Sequence, residues 1–382
     1  MLPSVTLDLS GNRFQVVYRL SGFGAEVGKI TQEMCVEQTI EFPSELVADD
    51  DIRRHIIGQI EDITPINDTD HFVTLSFAEE VAGENFPQFF NVIFGNTSLR
   101  PNIRVEKLEI SKHLASTYKG PRFGREGLRA LLNIHNQPIF STALKPIGLS
   151  AKQLAAQAGQ YALGHMDIIK DDHGLANQRF APFRERVERC IDAIEDANDK
   201  TGRRALYAPC LSAAADRMFD DAHFAKECGA GAVLIAPGLV GFNVMKALAD
   251  DDAFGLPILC HPAMLGSYTA TPHSGMSHYF TFGQLPRLTG ADITIFTNVG
   301  GRFSFTHDQC LEIKAATDTP MHSITSSFPS PGGGMTYDNI PDIVDMYGRD
   351  VVYLIGGALH KRGPVLSDNC IELREIVAKH FQ

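Results

Sequence analysis

The last two-thirds of the chain repeats one pattern: a short apolar run, a polar turn, then an amphipathic stretch. Runs begin near Pro138 (PIFSTALK), His165 (HMDIIK), Ala205 (ALYAPC), Ala232 (AVLIAP), Pro257 (PILCH), Asp292 (DITIFTN), Met321 (MHSIT) and Val351 (VVYLIG). Their spacing of about thirty residues is that of a βα unit. Strands buried on both faces lose polar alternation, and these runs are almost continuously apolar. Ser150 precedes AKQLAAQAGQYAL and Thr306 precedes HDQCLEIKAA, each a capping hydroxyl ahead of a helical apolar period. The rhythm predicts a C-terminal (β/α)8 TIM barrel over residues 126–382, with a doubly wound parallel sheet as the competing arrangement.

Residues 1–125 read differently. NRFQVVYRLSG and HFVTLSFAEE alternate apolar with polar residues, as strands with one wet face do, and DDDIRRHIIGQIEDI between them reads as helical. A separate N-terminal α+β domain is expected there. STYKGPRFGREGLRALLN is expected to form the connection and lead-in helix. A chain of 382 residues suits one barrel of about 250 residues plus a smaller partner.

Composition narrows the class. Hydrophobic residues at 44% and charged residues at 21% describe a globular chain rather than a disordered or fibrous one. A net charge of −12 with no Lys/Arg block argues against nucleic acid or an anionic membrane as partner. No apolar run is long enough to span a bilayer. The opening MLPSVTLDLSGNRFQVVYRL lacks the basic and apolar regions of a signal peptide, so a cytoplasmic location is expected. Seven scattered cysteines with no C-x-x-C pair read as reduced thiols, not as a zinc site or disulfide frame.

Barrel enzymes carry their chemistry at the C-terminal ends of the strands. The first run ends in Lys145, the fifth in His261, and the sixth enters TNVGGRFSF with Asn298 and Arg302. The second ends in Lys170, Asp171, Asp172 and His173. Carboxylates and a histidine at one strand end suit a hard or borderline divalent metal. Taken alone, the tetrapeptide is also what a charged surface turn looks like. Gly332, Gly333 and Gly334 follow the seventh run, and Gly356 and Gly357 the eighth. These are the two loops in which barrels bind phosphate through backbone N–H groups, although tight turns also call for glycine. Lys145 is a nucleophile, a base or a cationic clamp on this reading. His261 is equally a core histidine, and Arg302 either a lid cation or a solvated loop residue.

Together FPQFFNVIFGNTSLRPNIRVEKLEI, TALKPIGLS, DIIKDDHGLANQRFAPFRERV, GGGM and YLIGG resemble the large subunit of ribulose bisphosphate carboxylase, and more closely the RuBisCO-like proteins. The resemblance covers nearly the whole chain. It implies a ferredoxin-like first domain, a barrel, and a homodimer whose active sites borrow first-domain residues from the partner. It implies that Lys170 is carbamylated by CO2 and binds Mg2+ or another divalent metal together with Asp172 and His173. Lys145 then handles protons at the enediolate, His261 contacts substrate, and Gly333, Gly334, Gly356 and Gly357 hold phosphate. Asn96 and Glu37 match first-domain residues that reach the partner's site.

The departures from the family pattern shape the functional expectation. The second lysine after strand one is missing, because Lys145-Pro146-Ile147 runs directly into Gly148. Arg302 stands near the mobile-loop lysine and cannot shed a proton, so CO2 fixation is not expected. His173 replaces a metal-binding glutamate, which keeps a ligand and removes a negative charge. Asn96 stands where the methionine-salvage enolases have their catalytic lysine, and an amide cannot abstract a proton. Lys170, unmodified beside Asp171 and Asp172, is expected to stay cationic. The motifs look most like the group that splits 3-oxo-isoapionate 4-phosphate to 3-phosphoglycerate and glycolate, a transcarboxylase/hydrolase. The alternatives are an isomerase acting on methylthioribulose 1-phosphate, a diketo-methylthiopentyl-phosphate enolase, and a non-catalytic regulatory homologue.

Overall fold

The computed structural model describes residues 7–303 and 305–381. The first six residues of the stretch read for a leader, Ser304 of the TNVGGRFSF loop, and Gln382 lie outside the described residues. Among the described residues no helix is long and apolar enough to cross a membrane.

Two compact units divide the chain. The first gathers Met1–Tyr118, Leu265–Gln284 and Pro320–Ile324. Its strands are β1 (Arg13–Leu20), β2 (Gln59–Pro65), β3 (His71–Ala78), β4 (Ile103–Glu109) and β11 (Gly275–Met276), in the order β11-β4-β1-β3-β2. β1 alternates as its sequence predicts: Phe14, Val16, Tyr18 and Leu20 are fully buried between half-exposed neighbours. Phe14 packs edge-on against Phe89 of the helix Phe86–Phe94, with ring centroids 4.9 Å apart. DDDIRRHIIGQIEDI departs from its helical expectation. Only residues 50–56 are helical, and Gln59–Pro65 forms β2 against β3. Between the two, position 58 calls for glycine, because a Cβ there would lie 2.9 Å from Phe77 and 3.1 Å from the Cys35 backbone.

The second unit gathers Lys119–Met264, Leu285–Thr319 and Thr325–Gln382. Its strands are β5 (Ile139–Leu144), β6 (Ile168–Asp171), β7 (Leu206–Ala208), β8 (Cys210–Leu211), β9 (Val233–Ile235), β10 (Ile258–Cys260), β12 (Ile293–Thr297), β13 (Phe328–Gly332) and β14 (Val352–Leu354). They form one parallel sheet in the order β7-β6-β5-β14-β13-β12-β10-β9-β8. β7 and β8 are halves of one apolar run, parted at Pro209, which has no N–H for the ladder. β7 pairs with β6 and β8 with β9, so the sheet closes on itself through that broken strand. This is the expected barrel.

The seventh strand is displaced from its predicted place. MHSIT contributes only an isolated bridge, Met321 to Ile324, and the strand is FPSPG. Its two prolines hide it from a propensity reading. The Phe328 N–H donates to the Asp292 carbonyl, so alternate donors face β12 and the prolines face β14. Pairing with β14 is correspondingly reduced to Gly332 opposite Leu354.

Inside the barrel, Ile139, Ile168, Leu206, Leu234, Leu259, Ile293, Phe328 and Val352 form one buried cluster with Leu128 and Leu132 of the helix Gly124–Leu132. Asp292 ties that helix to the barrel floor. Its buried carboxylate accepts the N–H groups of Phe123 (2.7 Å), Gly124 (2.8 Å) and Ile258 (3.0 Å). Burial pushes its pKa up to about 6.

Candidate active site

The C-terminal ends of β5, β6 and β10 bring four of the predicted residues into one network. Lys145 leaves β5 with its backbone clamped by Gln157, whose amide donates to the Lys145 carbonyl at 2.7 Å and accepts its N–H at 3.0 Å. Gln157 lies on the helix Ala151–Leu163, which starts at Ser150 in a complete capping box, so a sequence-legible cap sets the position of the clamp. The Lys145 ammonium meets the Asp172 carboxylate at 2.8 Å while remaining 48% exposed. The other Asp172 oxygen accepts the His173 N–H at 3.0 Å and faces its Nδ1 at 3.1 Å. His173 in turn stacks on His261, ring centroids 4.2 Å apart and nearly parallel.

Electrostatics divides these groups by role. Burial alone would raise the Asp172 pKa, but hydrogen bonds from His173 and Lys145 and the charges of both lysines hold its carboxyl below the usual range. Burial, then Lys170 and His173, push the His261 imidazole well below its ordinary value. Its Nδ1 also accepts the Ala263 N–H at 3.2 Å, which places the proton of the neutral ring on Nε2. With Nδ1 engaged as an acceptor, the neutral His261 ring keeps Nε2–H as its donor.

Lys170 is buried in β6 and donates to the Asp171 carbonyl at 3.0 Å. At neutral pH it stays mostly cationic, as expected, but it holds its proton less firmly than an ordinary lysine. Desolvation outweighs the attraction of Asp172 and brings its pKa down to about 8. The Asp171 carboxylate does little to oppose this, because it is engaged elsewhere. It accepts from Arg186 Nε (3.0 Å), the Tyr207 hydroxyl (2.7 Å) and the Cys210 N–H (3.0 Å), all buried. Arg186 and Tyr207 have no motif signal, since only the closed barrel puts them beside Asp171.

A divalent metal would need three donors here. Among the described residues no three His, Cys, Asp or Glu side chains converge in a metal-binding group. Asp172 and His173 supply two, facing each other across 3.1 Å. A carbamate on Lys170, at the same strand end, would supply a third, oxygen donor. The donor set fits a metal on that condition.

β14 lies between β5 and β13, so the two glycine loops sit beside the Lys145 end. Gly333 (φ +84°) and Gly334 (φ +71°) adopt left-handed backbone, and a Cβ on Gly334 would strike the Gly301 nitrogen at 2.7 Å. Open space surrounds the Cβ positions of Gly333, Gly356 and Gly357. Among the described residues no acceptor meets the N–H groups of these three. Arg302 is not brought to the cluster: it is exposed, with its guanidinium 5.9 Å from the Phe303 ring. In the first unit, the Asn96 amide donates to the Glu37 carboxylate at 2.9 Å, joining two predicted residues 59 positions apart. Asn298, noted after the sixth run but given no role from sequence, is fully buried after β12. Its Oδ1 accepts from Tyr347 at 2.9 Å, and its Nδ2 has no partner among the described residues.

Comparison with known proteins places this geometry. The model for the ribulose bisphosphate carboxylase large chain, catalytic domain, matches residues 124–365. The chain belongs to the RuBisCO large-chain family. Within it the chain is a RuBisCO-like protein. RuBisCO-like protein 1 of Rhodopseudomonas palustris is 35% identical over 98% of this chain and all of its own length. The 5-methylthioribulose-1-phosphate isomerase of Rhodospirillum rubrum is 34% identical, covering 91% of each chain. The crystal structure of a RuBisCO-like protein from Rhodopseudomonas palustris superposes with a TM-score of 0.87 at 33% identity, over 97% of this chain and 99% of that one.

Proposed function

We propose that this RuBisCO-like chain is an enzyme that forms an enediolate on a phosphorylated sugar-derived substrate. The observation that carries the reading is the continuous Lys145–Asp172–His173–His261 network at the strand ends. Enediolate chemistry needs a cation beside the developing oxyanions, an acid/base group and a phosphate anchor. Lys145, half exposed and held by Asp172, moves the proton at the reacting carbon. Neutral His261 donates through Nε2 to a substrate oxygen. The free N–H groups of Gly333, Gly356 and Gly357 orient the phosphate. A divalent metal held by Asp172, His173 and a Lys170 carbamate would supply a Lewis acid to the enediolate oxygens.

On this reading the substrate is 3-oxo-isoapionate 4-phosphate, a β-keto acid that loses its carboxyl group to give an enediolate. Carboxyl transfer and hydrolytic C–C cleavage then yield 3-phosphoglycerate and glycolate. Asn96 and Glu37 complete the site of a partner subunit in a homodimer.

A second reading has its own support. The Rhodospirillum rubrum relative is named as an isomerase of 5-methylthioribulose 1-phosphate. Ile147, two residues beyond Lys145, is 47% exposed and leans over Gly174, an apolar contact suited to a thioether substituent. Turnover assayed on both phosphates separates the two. Release of glycolate supports the first, isomerisation without cleavage the second, and inertness towards both, with metal and bicarbonate present, overturns the enediolate reading.

A further inference from the structure

The N-terminal end of the barrel, remote from the strand ends that carry Lys145 and His261, contains a second concave site. A cavity of about 510 Å³ opens there. This is within the size range of small-molecule sites. Its walls come from residues just ahead of the strands: Pro138 before β5, His165 before β6, Arg203 before β7 and Arg349 before β14. Arg374 enters from the C-terminal helix Leu366–His380. Three arginines therefore line one cavity in a chain whose net charge is −12.

The arginines are held unequally. Arg374 is fixed: it donates to the His165 carbonyl at 2.8 Å and the Asp167 carboxylate at 2.7 Å, and it stacks 4.5 Å from the Phe140 ring. The other two have fewer polar partners, although the Arg349 guanidinium lies 4.8 Å from the Phe381 ring. Among the described residues Arg349 donates through Nη2 alone, to the Phe381 carbonyl at 3.1 Å, and Arg203 comes no closer to Asp167 than 3.6 Å. Asp167 also accepts the Phe140 N–H, so its charge is already shared among several donors. Glu375 is exposed at the rim. The positive field is felt by the neighbouring imidazole: burial and then Arg203 and Arg374 lower the His165 pKa.

We propose that this cavity binds the phosphate group of a small phosphorylated metabolite at a site separate from the catalytic end. Arg203 and Arg349 close on the anion, and Arg374 forms the fixed cationic wall. Planar guanidiniums match phosphate oxygens in pairs, which a lysine cannot do. Phe140, Ile371 and Phe381 line the remainder and suit a carbon skeleton rather than a bare ion.

Ribose 5-phosphate titrated calorimetrically into the full chain tests this. Wild type should take up one equivalent more than the Arg203→Gln/Arg349→Gln variant, whose remaining binding is that of the catalytic end. Gly356→Asp should keep the cavity equivalent, so failure of the phosphate-loop reading is told apart from failure of this one. Arg203→Lys/Arg349→Lys keeps both charges without the planar fork and should weaken the cavity site about tenfold or more. That pair decides the matter if the glutamine variant does not fold. Equal stoichiometry and affinity in wild type and the folded glutamine variant overturn the proposal. So does an unaltered lysine variant, or loss of all binding in Gly356→Asp.

Discussion

At the scale of single residues, the proposed chemistry depends on the charge state of Lys170. A buried amine with its pKa near 8 is cationic at neutral pH yet deprotonates readily. CO2 reacts only with the neutral form, so the rate of activation at a fixed concentration of dissolved CO2 should climb as pH rises from 7 to 9 during preincubation. A flat profile would contradict carbamylation of Lys170. Lys170→Ala should lower kcat by roughly two to four orders of magnitude, the range for loss of a key acid/base or electrostatic group. Its melting temperature should stay close to that of wild type. Chelator-treated, CO2-depleted protein should be inactive and recover only when metal and bicarbonate are both returned. His173→Glu should shift metal preference towards Mg2+ in a competition titration, because an oxygen replaces a borderline nitrogen.

At the scale of elements, the glycine loops and the barrel floor make separate predictions. Gly356 has φ −130° and open space around its Cβ position, so a side chain is sterically accepted there. Gly356→Asp sets a carboxylate where a phosphate is expected. It should raise KM by roughly an order of magnitude or more, since opposed like charges cost several kcal/mol. Unchanged KM for a phosphorylated substrate would remove the anchor from the β13 and β14 loops. Asp292 belongs to the floor. Asp292→Ala leaves three buried N–H groups without an acceptor and should cost about 3 kcal/mol or more in urea unfolding. The folded pKa of this carboxyl, about 6, lies above its ordinary 3.8, so the native state binds the extra proton between those values. Its stabilising contribution is therefore full at the acid end of that window and is lost as pH rises through about 6. Wild type should exceed Asp292→Asn by more at pH 5 than at pH 7.

At the scale of the whole molecule, the proposed homodimer shares its sites. Asn96 and Glu37 are joined in the first unit, while the lysine cluster lies in the second. Asn96→Ala and Lys170→Ala chains, each inactive alone, should regain part of the activity when mixed, through heterodimers with one intact site. No recovery after verified subunit exchange would show that each site is built within one chain.

Much of this was legible in local sequence. Continuous apolar runs at βα spacing specify a parallel barrel because a strand covered on both faces has no place for polar alternation. The capping boxes at Ser150 and Thr306 were legible because capping is settled within four residues. The strand-two cluster was legible because its charges are consecutive. What lay beyond local reading depended on neighbours distant in sequence. FPSPG is a strand only because β12 supplies its ladder on one side, and position 58 calls for glycine only because Phe77 and Cys35 crowd it. Asp171 and Asp172 are adjacent and alike in sequence. Alternation along β6 turns one towards Arg186 and Tyr207 and the next towards Lys145. The same burial brings the Lys170 pKa down to about 8, which its neighbours along the chain do not foretell, since desolvation is a property of the folded surroundings.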